Sequence, residues 1–235
     1  MAYDELKQRV YETNIELVTR GLVIYTWGNV SAIDRENEVV IIKPRGIEYD
    51  DMDANDMSVV DFAGKQVEGD LLPSVDLDIH LALYERFPAI GGIAHTHSTY
   101  ATSWSQACRP IPVYGTTHAD HFYGEIPCTP LLPDDQLEGD AYERNTGEAL
   151  ANLFTDSDPM QVPGALMASH GPFTWGDTPE SAVEHSVILE ELARMAYLTV
   201  QIAPRVPRIP QSLLDKHYLR KYGPNAYFYQ EKKKK

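Results

Sequence analysis

Residues 94–121, AHTHSTYATSWSQACRPIPVYGTTHADH, decide how the rest of the chain is read. They open on His95-Thr96-His97, two imidazoles at i and i+2. On a β-strand that spacing sends both side chains to one face, as a metal-binding pair requires. The apolar run Ile90–Ala94, with two glycines, predicts a short buried strand that delivers the pair to its edge. Two imidazoles are half of a tetrahedral set, so the remaining ligands have to come from elsewhere. A bare HxH is equally compatible with two ordinary polar histidines. Stretches outside this one bear on the choice.

His170 closes Ala-Leu-Met-Ala-Ser-His-Gly-Pro, a second strand-like run that Gly171-Pro172 is expected to stop. Asp76 stands in Leu-Pro-Ser-Val-Asp-Leu-Asp-Ile-His, just before a predicted helix. Asp76, His95, His97 and His170 together form an open divalent-metal set, suited to Zn²⁺ or to another first-row ion such as Mn²⁺. A position is left for substrate oxygens. The competing reading of Asp76 is a helix N-cap, with Asp78 as a second carboxylate nearby.

At 235 residues and 43% hydrophobic, the chain suffices for one sizeable domain with its own core. Its formal charge of −15 argues against nucleic acid or an anionic membrane as partner, since both need a basic face. An anionic substrate would have to be held by a local positive site. No apolar run of ~18 residues and no charged-then-apolar start occurs, so neither a transmembrane helix nor a signal peptide is predicted. Cys108 and Cys128 are too few for a disulfide scaffold, and a reducing cytoplasm is the default location. One domain over 1–231, followed by a solvated, disordered Lys tail at 232–235, is the expected organisation.

Taken in order, residues 3–20 have helical periodicity that Gly21 ends. Strands are predicted at 22–25, 39–42 and 57–62, with a tight loop at 27–31 and a hairpin turn at 63–65. Strands that follow one another without helices favour antiparallel pairing. Helices are predicted at 76–87, 99–107, 141–154, 179–202 and 211–222, and strands at 165–168 and 173–175. Tyr142, Ala149, Leu150 and Leu153 are expected on the core side of the 141–154 helix.

Three separate loops carry anion-binding groups. Gly28-Asn29, Lys43 to Gly46, and Ser74 supply backbone N–H groups, an amide, a hydroxyl and cations. The plain alternative is that Gly28-Asn29 is a turn and Lys43 a surface residue.

The segments TWGNVSAIDRE, IKP-x-GI-Y, PS-x-D, FPAIGGIAHTHS, GTTHADHFYG, IPCT, SHGPFTWG and LLDKHYLRKYG occur in this order between residues 26 and 223. In them the chain resembles the L-ribulose-5-phosphate 4-epimerases of the class II sugar-phosphate aldolase/epimerase family. The resemblance runs from about residue 3 to about residue 230. It implies a single layered α/β domain, with a central, largely antiparallel sheet flanked by helices. It also implies interconversion of L-ribulose 5-phosphate and D-xylulose 5-phosphate in pentose (arabinose) catabolism, by cleavage and re-formation of the C3–C4 bond. In such enzymes the metal is a Lewis acid that stabilises the enediolate.

By the same resemblance, Gly28, Asn29, Lys43, Arg45, Gly46, Ser74 and Val75 bind the substrate phosphate. Asp120 is the acid/base aspartate; a solvated turn residue is its alternative. A C-terminal tyrosine from a neighbouring subunit serves the opposite face of the aldehyde. His118 and His121 read as structural, and His217 as an assistant near the site or a helix-surface residue. The family's usual KPSG and PSSD read KPRG and PSVD here, so Arg45 can grip phosphate bidentately while Val75 removes a hydroxyl. The tail Ala226-Tyr227-Phe228-Tyr229-Gln230 places Phe228 where the reactive tyrosine should stand, and Tyr229 is favoured over Tyr227 to replace it. A shorter Asp76, where aldolases of the family have Glu, leans toward an epimerase. A cyclic homotetramer with active sites at its interfaces is implied. The alternatives are a class II aldolase of the L-fuculose-1-phosphate type, an epimerase of altered ketose preference, and a non-catalytic metal-binding protein.

Overall fold

The structure is a computed structural model and describes residues 3–228. Tyr229 and the expected Lys tail lie outside the described residues. The strands are β1 (Gly28–Asp34), β2 (Val39–Ile42), β3 (Ser58–Asp61), β4 (Gln66–Glu68), β5 (Gly92–Thr96), β6 (Gly164–Met167) and β7 (Gly171–Gly176). They form one antiparallel sheet in the order β4-β3-β2-β1-β5-β7-β6. The helices are α1 (Asp4–Thr19), α2 (Leu77–Arg86), α3 (Thr99–Gln106), α4 (Thr116–Ala119), α5 (Tyr142–Asn152), α6 (Pro179–Ile202) and α7 (Gln211–Tyr222). The layered α/β architecture expected from the sequence is the one observed. No helix among the described residues is long and apolar enough to cross a membrane.

Period-2 alternation divides the core between the two faces of the sheet. On β2, Val40 and Ile42 pack with Ile79, Leu83, Leu150 and Trp175 on the α2/α5 side. Val39 and Ile41 pack with Val10, Leu17, Val30 and Val183 on the α1/α6 side. Both sides are sealed, so β2 reads as an uninterrupted β-branched run. Each fully buried Ile or Leu contributes roughly 1.5–3 kcal/mol of transfer free energy.

The helix ends are specified locally. Thr178 accepts from Ser181 N while Ser181 Oγ accepts from Thr178 N, a reciprocal cap that starts α6 with Pro179 at its first position. At the other end of α2, Arg35 Nη2 donates to the carbonyls of Tyr84, Phe87 and Ile90. Tyr84 and Phe87 offer C-terminal carbonyls with no partner inside the helix, and Ile90 closes the turn that follows it.

Four local expectations are corrected. Residues 22–25 do not form a strand: Leu22 and Val23 are buried, but Ile24 and Tyr25 are exposed and Tyr25 has φ 53°, which turns the chain. The predicted loop at 27–31 is instead the start of β1 from Gly28 onward. Gly171-Pro172 opens β7 and does not merely end the preceding strand, because the reversal is made earlier, at Ser169 with φ 59°. On α5 the buried residues are Thr146, Gly147, Leu150 and Ala151, a face rotated from the one expected.

β5, the strand that carries His95, is pressed against the start of α6. A β-carbon at Gly92 would overlap the backbone of Thr178 and Pro179. Backbone cannot give way as a side chain can, so Gly92→Ala is expected to destabilise the protein by about 3 kcal/mol. The check is the urea midpoint of unfolding. An unchanged midpoint would show that the β5–α6 contact is looser than described.

Candidate metal centre and anion-binding cavity

His95 is the fourth residue of β5, and His97 follows just beyond its end. His170 comes from the turn between β6 and β7. Register brings them together, since His95 pairs with Phe173, whose ring stacks on the imidazole at 4.1 Å and 15°. One donor atom from each of His95, His97 and His170 lies within 4.8 Å of the others. His95 Nδ1 lies 3.0 Å from the Pro172 carbonyl and donates to it, which leaves Nε2 as a bare lone pair in the neutral ring. That Nε2 lies 3.1 Å from His97 Nε2.

The donor set fits a divalent ion. Two nitrogens bound to one tetrahedral zinc at ~2.0–2.1 Å stand about 3.3 Å apart. Burial holds His95 well below the ordinary imidazole range, with His170 and His97 adding to the effect. Burial also lowers His97 and His170, opposed in each by the Asp76 carboxylate. All three rings are therefore neutral at pH 7 and available as ligands without losing a proton.

A cavity of about 390 Å³ opens over this cluster. Gly28, Asn29, Lys43, Arg45, Gly46, Ser74, Val75, Asp76, His95, His97 and His170 all line it, together with Trp27. The loops from the start of β1, the end of β2 and the segment before α2 meet here. Ser74 N donates to Lys43 O and Arg45 N to Leu72 O, which ties two of those loops together. Asn29 Nδ2 ties in the third, donating to Ser74 Oγ at 3.2 Å and to Asp76 Oδ2 at 2.6 Å. Asp76 stands at the N-cap position of α2, yet its side chain makes no capping bond; the carboxylate faces Asn29. A β-carbon at Gly28 would lie 2.9 Å from the His95 carbonyl, so only glycine lets β1 approach β5 this closely.

Lys43 is 2% exposed and so is not the surface residue of the plain reading. Its ammonium donates to the carbonyls of Ile47 (2.9 Å) and Pro44 (3.4 Å) and lies 4.7 Å from the centre of the Tyr49 ring. Burial lowers its pKa, with Glu48 opposing. Tyr49 in turn donates to Gly28 O at 2.8 Å, so one tyrosine braces both the cation and the strand end. The sequence reading missed Tyr49, although the Y of IKP-x-GI-Y marks it. Arg45 is exposed at the cavity mouth, and so is Val75.

Asp120 caps α4 and is not among the described residues lining this cavity. Its carboxylate is held on α7. Arg220 Nη2 donates to both oxygens at 2.9 Å, and His217 Nδ1 lies 3.1 Å from Oδ1. Arg220 is a second residue the sequence reading missed. Its i+3 spacing from His217 on a predicted helix was the available signal. The last described residues fold back here, with Tyr227 N and Phe228 N donating to Arg220 O and the Phe228 ring 5.1 Å from the guanidinium. Tyr229, the expected proton-transfer residue, is the next residue along and lies outside the described residues.

The Class II Aldolase and Adducin N-terminal domain profile matches residues 8–197. The chain belongs to this family. Among solved structures, this class II aldolase chain is similar to an L-fuculose 1-phosphate aldolase, with 23% identity over 93% of this chain and 96% of that one and a TM-score of 0.81. It is also similar to YgbL of Klebsiella pneumoniae, for which aldolase, epimerase and decarboxylase are the stated alternatives. There the identity is 25%, coverage 90% and 97%, and TM-score 0.73. The L-fuculose-1-phosphate aldolase of Thermus thermophilus shares 20% identity, with coverage of 89% and 100% and a TM-score of 0.63. At these identities the likenesses carry the class II aldolase fold.

His118 and His80 are sealed inside this fold, and burial pushes both down to about 4. His118 is the ring that donates to Gly124 O at 2.8 Å. Both are neutral when folded but take a proton below pH 6.5 when unfolded. Their contribution is therefore complete above pH 6.5 and is lost as pH falls from 6.5 toward 4. Each is worth roughly 3 kcal/mol across that window. Urea unfolding with chelator at pH 7 and pH 5 is expected to show this loss, and His118→Gln should flatten the slope. A slope unaffected by the substitution would place the pH sensitivity elsewhere.

Proposed function

We propose that this class II aldolase family member is a divalent-metal-dependent L-ribulose-5-phosphate 4-epimerase, with Zn²⁺ as the first candidate ion. The observation that carries the reading is the division of labour between two aspartates. Asp76 sits with the histidines and has Oδ2 engaged by Asn29 at 2.6 Å. Asp120 is held apart from them by Arg220 and His217. A carboxylate occupied as a ligand makes a poor base, so proton movement falls to Asp120.

His95, His97, His170 and Asp76 hold the ion, which when bound supplies Lewis-acid polarisation of the ketose oxygens at C2 and C3. The phosphate lies against Gly28, Asn29, Lys43, Arg45, Gly46, Ser74 and Val75, where Arg45 is the exposed cation and Lys43 the buried one. Asp120, held by Arg220 and His217, takes the proton of the C4 hydroxyl as the C3–C4 bond breaks. After the aldehyde turns, Tyr229 returns the proton on the opposite face. Because Asp120 does not line its own chain's cavity, it serves the cavity of a neighbouring copy, in a homotetramer.

The second reading is an aldolase of the L-fuculose-1-phosphate type, the activity named for a solved structure that shares this fold. Both readings are tested by incubating zinc-loaded protein with L-ribulose 5-phosphate or with free L-ribulose, with and without chelator. Formation of D-xylulose 5-phosphate from the phosphorylated sugar alone, abolished by chelator, supports the epimerase. Accumulation of free glycolaldehyde phosphate supports an aldolase instead. No conversion of either sugar removes the epimerase, and failure to cleave L-fuculose 1-phosphate as well removes the aldolase.

A further inference from the structure

Beneath the metal centre a polar ladder joins β1 to α2. Asn29 and Ser31 point from β1 toward the helix, two residues apart. Asp76, His80 and Tyr84 follow at one-turn intervals on the facing side of α2, and the two spacings match. Asn29 meets Asp76. Ser31 Oγ meets His80 Nδ1 at 2.7 Å and the Tyr84 hydroxyl at 2.8 Å. His80 has no exposed surface, and its ring meets edge-on the Phe173 ring that stacks on His95.

The ladder has two proton arrangements, which differ in the ring nitrogen of His80 that carries the proton. In one of them the Tyr84 hydroxyl donates to Ser31 Oγ. The serine proton then goes to His80 Nδ1, and the imidazole keeps its proton on Nε2. That Nε2 is buried and has no hydrogen-bond partner among the described residues. A sealed N–H without an acceptor is costly, and native interiors rarely leave one. The charge that acts on His80 is Asp76, one turn earlier on the same helix. With Oδ2 of Asp76 taken by Asn29, Oδ1 remains as the acceptor within one helical turn.

We propose that His80 is a positioning residue for the metal carboxylate: its ring takes the Nε2–H form, and that donor, unpartnered as the carboxylate stands here, joins Asn29 in holding Asp76 once the carboxylate turns to its ligating orientation. This rests on the metal reading of the site. Carboxylate ligands are themselves hydrogen-bonded, and loss of such a partner weakens metal binding.

Two substitutions separate the ring nitrogens. In His80→Gln the amide nitrogen reaches the place of Nε2, whereas in His80→Asn it reaches only that of Nδ1. Zinc affinity is read by chelator competition, the Co²⁺ absorption spectrum reports ligand geometry, and melting of the metal-free protein reports folding. The expected result is that His80→Gln binds Zn²⁺ within about threefold of wild type, while His80→Asn weakens it roughly 10–100-fold and shifts the Co²⁺ spectrum. Equal affinities in the two variants and wild type overturn the proposal. If either variant fails to fold, long-range ¹H–¹⁵N spectra of histidine-labelled wild type decide. A proton on Nε2 that moves downfield on zinc addition supports the role, and a proton on Nδ1 overturns it. Wild type that binds neither Zn²⁺ nor Co²⁺ overturns the metal reading itself, and the proposal with it.

Discussion

Changing His95 to alanine is expected to lower the proposed turnover of L-ribulose 5-phosphate on the order of 10³-fold, about 4 kcal/mol of barrier. The reason for choosing His95 over its two neighbours is its rigidity. It is 1% exposed, its Nδ1 is fixed on Pro172 O, and its ring lies flat on Phe173. A ligand held on three sides loses little freedom when it binds an ion, so its removal forfeits most of the affinity. The measurement is metal content after gel filtration, alongside steady-state rates and circular dichroism. Loss of metal and rate with the fold retained supports the catalytic centre. Loss of the fold would point to a structural ion. Retention of both metal and rate would remove His95 from the site.

Asp120→Asn is expected to reduce kcat by roughly 10²–10⁴-fold, the usual worth of a positioned acid or base, while leaving metal content unchanged. Asparagine preserves the shape and one acceptor oxygen, so α7 keeps part of its anchorage through Arg220. A merely structural aspartate would lose melting temperature in step with rate. A proton-transfer aspartate loses rate first, with the melting temperature held. A kcat within threefold of wild type would assign Asp120 to the α4–α7 contact alone.

Part of this was legible in the sequence, for identifiable reasons. The HxH spacing needs only a strand to face two rings one way, and Ile90–Ala94 supplied an apolar strand signal. His170 and Asp76 could be nominated because each closes or opens a recognisable element. Long-range register, which sets Asn29 opposite His95 and His95 opposite Phe173, cannot be read from local pattern; it emerges only when the sheet is assembled. The alternative reading of Lys43 as a surface cation arises because lysines almost never bury, and the carbonyls of Pro44 and Ile47 and the Tyr49 ring make its burial tolerable. Leu22 to Tyr25 reads as a strand because two apolar residues do enter the core; the backbone reversal at Tyr25 leaves no local sequence signal. Arg220 was present in a quoted motif, but its partner lies a hundred residues upstream in chain order, beyond the reach of any periodicity argument.

The β6–β7 hairpin forms one margin of the sheet, and the chain travels through α3, α4 and α5 before returning to it from β5. An ion gripped at once by His95 on β5 and His170 at the hairpin tip is therefore a clasp on a long excursion of chain. Loop closure grows only as the logarithm of length, each doubling costing about 0.6 kcal/mol, so one such clasp secures the whole excursion for nearly the same cost as a short one. Occupancy of the site is thereby coupled to how firmly that margin is fastened. Amide exchange in Gly164–Gly176 should slow when zinc is added, while the β2–β3 ladder, closed by nearby chain alone, keeps its own rate.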